Sequence, residues 1–128
     1  MTTLALLLAL QPWTAMSPAH HNLVAFTTIH LLASDSEYRD LRRQAWRESR
    51  YNHRAVSSAN CCGLFQIAPR WHKTTCDRLI NDPVHSAVTA LRVYRRMRVL
   101  CPGNFRPCYE MGPWHPSNRH LLASRYRE

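Results

Sequence analysis

Across residues 47–72 the chain reads RESRYNHRAVSSANCCGLFQIAPRWH, and this stretch holds a single carboxylate, Glu48. No other acid follows until Asp77. One carboxylate can give a proton and later take one back, provided its pKa lies near the working pH. Two effects are expected to raise it towards that range. Glu48 shares a helical stripe with Tyr38, Leu41 and Ala45, so it lies on the core-facing side, where partial burial disfavours the charged form. It also falls in the last turn, where the helix end carries partial negative charge. The expected chemistry is acid and then base work by one group.

Such a group needs a rigid mount. Residues 20–33 are apolar enough for a buried helix, with Leu23, Phe26 or Thr27, His30 and Leu31 at helical spacing. Ser34-Asp35-Ser36-Glu37 matches a capping box and predicts a second helix over residues 35–49, ending at Glu48. Residues 52–62 read as a loop. Gly63-Leu64-Phe65-Gln66-Ile67 follows, closed by Pro69, and a short helix is predicted over 73–79. Asp82-Pro83 then opens the clearest helix. Val84, Ala87, Val88, Leu91, Tyr94 and Leu100 mark one face of it, and Arg92, Arg95, Arg96 and Arg98 the others. Pro102-Gly103 stops it, leaving a short segment at 108–109 and a last helix over 117–126. With no strand-like run, the fold class expected is mostly α, a small helical domain with a cleft and little or no sheet.

The 128 residues suggest one domain, and 45% hydrophobic content supplies one modest core. A net charge of +9 favours polyanionic partners. Nucleic acid is not expected, since nothing beyond arginine richness supports it. Residues 4–10 form a short apolar block followed by Pro12 and small residues, which predicts a signal peptide over residues 1–19 with cleavage after Ala19. Residues 20–128 would then be the exported domain, periplasmic or extracellular. The block is too short to span a bilayer, which needs about 20 apolar residues. Five cysteines, at 61, 62, 76, 101 and 108, predict disulfides with one thiol left over. Cys101 with Cys108 is the easiest bridge; Cys61 or Cys62 with Cys76 is the next. Zinc at His72 and Cys76 is the rival, but no Cys-x-x-Cys pair supports it, so neither metal nor cofactor is expected.

Three segments, taken in order, resemble one family: the lytic transglycosylases of the soluble-lytic-transglycosylase type, relatives of goose-type lysozyme. ESRYNHRAVSSA resembles its Glu-Ser segment, with Glu48 as the catalytic acid. GLFQIAP resembles its Gly-Leu-Met-Gln-Ile-x-Pro segment. CYEMGP resembles its Ala-Tyr-Asn-x-Gly-Pro segment, and Asp82-Pro83 falls at a family helix start. The similarity runs over about residues 25–126. It implies a lysozyme-like fold and cleavage of peptidoglycan glycan strands between N-acetylmuramic acid (MurNAc) and N-acetylglucosamine (GlcNAc), with a 1,6-anhydro product. It further implies that Tyr109 orients Glu48, and that Ser57, Gly63, Leu64, Phe65, Gln66 and Glu110 contact substrate. The protein would act as a monomer, its basic surface held by wall carboxylates.

Phe65 departs conservatively from the family Met. Glu110 replaces an Asn, and a second carboxylate there could repel the charged form of Glu48 or impair binding. Two further readings follow: a hydrolytic goose-type lysozyme that conscripts Glu110 or Asp82, and a wall-binding module that has lost turnover. Trp46, Trp71 and Trp114 are candidate sugar-stacking platforms.

Overall fold

In the computed structural model, which describes residues 16–127, helices begin where side chains can satisfy their orphan amides. Ser17 accepts from the His20 amide at 3.3 Å, and Pro18 opens α1 (Pro18–Leu32). Next, the capping box forms as expected. The Ser34 hydroxyl accepts from the Glu37 amide at 3.2 Å, while Glu37 Oε1 accepts from the Ser34 amide at 2.9 Å. That exchange contributes about 1 kcal/mol and fixes the start of α2 (Asp35–Ser49). Thr75 caps α3 (Cys76–Asn81). Asp82 Oδ1 accepts from the His85 amide at 3.0 Å at the head of α4 (Pro83–Leu100). After it come α5 (Arg106–Met111) and the 3-10 turns Pro116–Leu121 and Ser124–Tyr126; a third such turn, Pro69–Trp71, precedes α3. The fold is mostly α. Among the described residues, β pairing is confined to isolated antiparallel bridges of Cys62 with Val56 and with Ile67.

The chain divides into two compact units, the first ending at Val88 and the second beginning at Thr89. In the first, α1 packs on α2. Its core holds Ala25, Phe26 and Ile29 of α1, Leu41 and Ala45 of α2, then Leu64, Phe65, Ile67 and Leu79. Phe65 meets Phe26 edge-on at 6.0 Å, and the Cys62–Cys76 disulfide ties the intervening segment to α3. In the second, Leu91, Tyr94, Met97 and Leu100 are buried, Tyr94 meets Phe105 edge-on at 4.8 Å, and Cys101 bridges Cys108. Cys61 keeps a free thiol. No helix among the described residues is long and apolar enough to cross a membrane.

Several expected elements differ. The buried face of α1 is His21, Ala25, Phe26 and Ile29, while Leu23, Thr27, His30 and Leu31 face outward, Leu31 with 78% of its surface exposed. Polar and apolar residues are mixed around that helix, with His20, His21, Asn22, Thr27, Thr28 and His30 spread among the apolar ones, so periodicity does not select a face. Val84 and Val88 of α4 are exposed as well. The helix expected over 73–79 starts only at Cys76, because Lys73 adopts a left-handed φ of 51° that a helix cannot absorb. The last expected helix, 117–126, is two 3-10 turns interrupted at Leu122 and Ala123. Two bonds pin that region: Asn118 Nδ2 to the carbonyls of Pro107 and Gly112, each at 2.9 Å. The Ala123 amide also donates to Leu100 O at 2.8 Å, which pulls the chain out of helix. Of the expected signal peptide, residues 1–15 lie outside the described residues, and the cut after Ala19 falls in the first turn of α1.

Candidate active site

Glu48 stands half-buried in the last turn of α2, and one turn earlier Gln44 donates from Nε2 to its Oε1 at 2.8 Å. Gln44 is itself 1% exposed, so the donor is held in place by packing and orients the carboxylate. Directly after Glu48 the chain reverses. Arg50 (φ 52°) and Tyr51 (φ 62°) both take left-handed backbone, which costs side-chain-bearing residues roughly 1–2 kcal/mol each. Three contacts hold the reversal. The Arg50 amide donates to Trp46 O at 2.9 Å, its guanidinium lies 4.9 Å from the Trp46 ring centre, and Asn22 Nδ2 donates to Tyr51 O at 3.1 Å. Strain is thus concentrated beside the carboxylate.

Ser49 joins this helix end to the next segment. Its hydroxyl lies 2.9 Å from Ala45 O and 2.7 Å from Leu64 O, with one proton to serve both. Gly63 has φ 84°, and its amide donates to Ala55 O at 2.8 Å. A Cβ at Gly63 would stand 3.0 Å from the Leu79 carbonyl oxygen, so the close approach that requires glycine is to the α3 backbone. Gly63→Ala is accordingly expected to destabilise the fold by about 2 kcal/mol or more, read as a lower urea midpoint with unchanged slope.

Leu64 and Phe65 are 0% exposed, so their side chains belong to the core. Gln66 also has a positive φ of 50°. Its Nε2 donates to Ala55 O at 2.9 Å and to Gly63 O at 3.0 Å, so its amide hydrogens brace the loop and Oε1 is the atom free for a ligand's donor. Ser57 is exposed, its hydroxyl accepting from the Cys61 amide at 3.1 Å and keeping its own proton to donate. Glu48, Ser57, Gly63 and Gln66 all belong to the first unit. Tyr109, half-buried, and Glu110, exposed, lie on α5 in the second. There Glu110 Oε1 sits 4.0 Å from Arg106 Nε. Trp46, Trp71 and Trp114 are all exposed, Trp71 most of all.

Five residues past Glu48, His53 stacks on His21 of α1, ring centres 4.0 Å apart and planes 19° from parallel. His21 is fully buried, and neither of its ring nitrogens meets a partner at hydrogen-bond distance. Burial, reinforced by the facing His53, lowers the His21 pKa to about 4; the Ile80 backbone, Asn22 and Asp82 pull weakly the other way. Burial, with Arg54 nearby, also lowers that of His53.

The transglycosylase SLT domain family matches residues 33–103, more than half of the chain. The chain belongs to this family. No curated protein and no solved structure matches it. The SLT match takes in α2 with Glu48, the segment from Ser57 to Gln66 and nearly all the rest through α4. It stops before Tyr109 and Glu110, so the third of the three resembling segments lies outside it. The residues that sequence reasoning missed are Gln44, within the SLT match, and the His21–His53 pair, of which His21 precedes the match. A Gln four positions before the acid, on the same helical face, was the signal available for the first.

Proposed function

We propose that the protein is a peptidoglycan lytic transglycosylase that cleaves the β-1,4 bond between MurNAc and GlcNAc and closes a 1,6-anhydro ring on the MurNAc. The observation that carries this is a single carboxylate at the end of α2, oriented by Gln44 and coupled through Ser49 to the Gly63–Gln66 segment. In the first step the Glu48 carboxylic acid donates its proton to the glycosidic oxygen as the bond to C1 breaks. Positive charge at C1 is met by the substrate's own N-acetyl oxygen. The MurNAc C6 hydroxyl oxygen then attacks C1 while the Glu48 carboxylate takes the hydroxyl proton, which restores the acid without consuming water. Ser57 and Gln66 would hold the acetamido sugar.

Hydrolysis is the weaker reading, because it calls for a second carboxylate at about 5–5.5 or 6.5–9.5 Å. Asp82 already caps α4 and sits 4.0 Å from Arg78 Nε, and Asp77 accepts from Asn81 Nδ2. Two disulfides fit an oxidising compartment, which supports export, and the partner would be the glycan strand itself. Mass spectrometry of sacculus digests tests the proposal. Products one water lighter than reducing-end fragments are expected; reducing ends would show a hydrolase, and absence of soluble fragments a binding module.

A further inference from the structure

A recess opens on a face of α2 away from Glu48. Between α1 and α2 a cavity of about 520 Å³ is lined by Asn22, Phe26, His30, Tyr38, Arg42 and Tyr51 among others. At about 100° of turn per residue, Gln44 stands about 160° and Glu48 about 120° around the helix from Arg42, so the recess and the carboxylate do not share a face. The volume falls in the range of small-ligand sites.

Arg42 is the centre of this recess. Its guanidinium carbon lies 4.9 Å from the Phe26 ring centre, 5.7 Å from Tyr51 and 5.9 Å from Tyr38, and Nη1 donates to the Tyr38 hydroxyl at 3.1 Å. The phenols of Tyr38 and Tyr51 push its pKa above the ordinary arginine value. The Tyr38 ring is in turn steadied edge-on by Phe26 at 6.4 Å and by His30 at 5.2 Å. Among the described residues Arg42 contacts rings and phenols and no carboxylate. A surface arginine normally loses rotamer freedom when it binds an anion; stacking has already removed that freedom here. The side chain is exposed, and the phenols of Tyr38 and Tyr51 take only part of its five N–H donors. A preset planar fork beside an apolar wall of rings matches a carboxylate that adjoins a small aliphatic group.

We propose that this recess binds the free C-terminal carboxylate of a short peptide, as a second wall-contacting site separate from Glu48. Naming the peptide stems of peptidoglycan as the source rests on the proposed function; the carboxylate chemistry does not. The Arg42 fork takes both carboxylate oxygens, and the Phe26 and Tyr51 rings take the adjoining methyl group. Two faces of α2 then serve two purposes, the Arg42 face holding a stem while the Glu48 face works on the glycan.

The test titrates N-acetyl-alanyl-alanine and its C-terminal amide into the intact protein by NMR, with wild type, Arg42→Gln, Arg42→Lys and Glu48→Gln. The acid should shift resonances of Phe26, Tyr38 and Tyr51, and the amide should bind at least tenfold more weakly. Arg42→Gln should weaken the acid tenfold or more. Arg42→Lys, which keeps the stem on the rings and so the packing, should fall between, and Glu48→Gln should match wild type. Equal binding of acid and amide, or unchanged affinity in both folded Arg42 variants, would overturn the site. Sacculus digestion separates the two proposals. Anhydro products without Arg42-dependent peptide binding refute this inference alone. Peptide binding without any glycan cleavage refutes the function and leaves the recess standing.

Discussion

Glu48→Gln is expected to lower release of soluble fragments from sacculi by roughly 10³–10⁴-fold while leaving wall binding intact, since acid–base catalysis by one positioned group contributes on the order of 10²–10⁴ and this group serves twice. The substitution keeps side-chain shape and removes the transferable proton. Gln44 Nε2, 2.8 Å from Oε1 in the native protein, can still donate to the new amide oxygen, so the last turn of α2 keeps its packing. Activity within tenfold of wild type in a folded variant would remove Glu48 from the reaction. A pelleting assay at fixed salt supplies the binding control.

Acid should unfold this protein early. Folded His21 titrates near 4, whereas an unfolded histidine titrates near 6.5. As pH falls through that window the unfolded chain takes up a proton that the buried ring refuses, so stability present above pH 6.5 is lost on the way down. For His21 alone the loss is about 3 kcal/mol by pH 4, a large share of the 5–15 kcal/mol typical of a domain. His53 adds to it in the same direction. Urea midpoints at pH 7, 5.5 and 4.5 should fall steadily, and His21→Leu should flatten that slope. A wild-type midpoint that holds level from pH 7 to 4.5 would show that the imidazoles do not resist charging.

Local signals recovered the parts of the fold that rest on neighbours in sequence. The capping box at Ser34 and Glu37, the Asp82-Pro83 start and the Pro102-Gly103 stop each depend on bonds within a few residues, and each was legible. The place of Glu48 in the last turn of α2 was legible for the same reason. What could not be read depends on distant partners. The inward face of α1 is decided by His53, Tyr51 and Phe65, 25 or more residues downstream, which stack on or bond to His21, Asn22 and Phe26. Leu64 and Phe65 carry a motif that suggests contact with ligand, yet their side chains fill the core, because a loop that must hold still beside a helix needs anchors beneath it. Gly63 likewise answers to Leu79, sixteen positions on.

The one hydroxyl proton of Ser49, shared between Ala45 O and Leu64 O, acts as a mechanical coupling. Displacement of the Gly63–Gln66 loop is passed to the turn of α2 that carries Glu48, and movement of that turn is passed back. Loop and helix end therefore move together through this joint, a hydroxyl 2.7 Å from one carbonyl oxygen and 2.9 Å from the other.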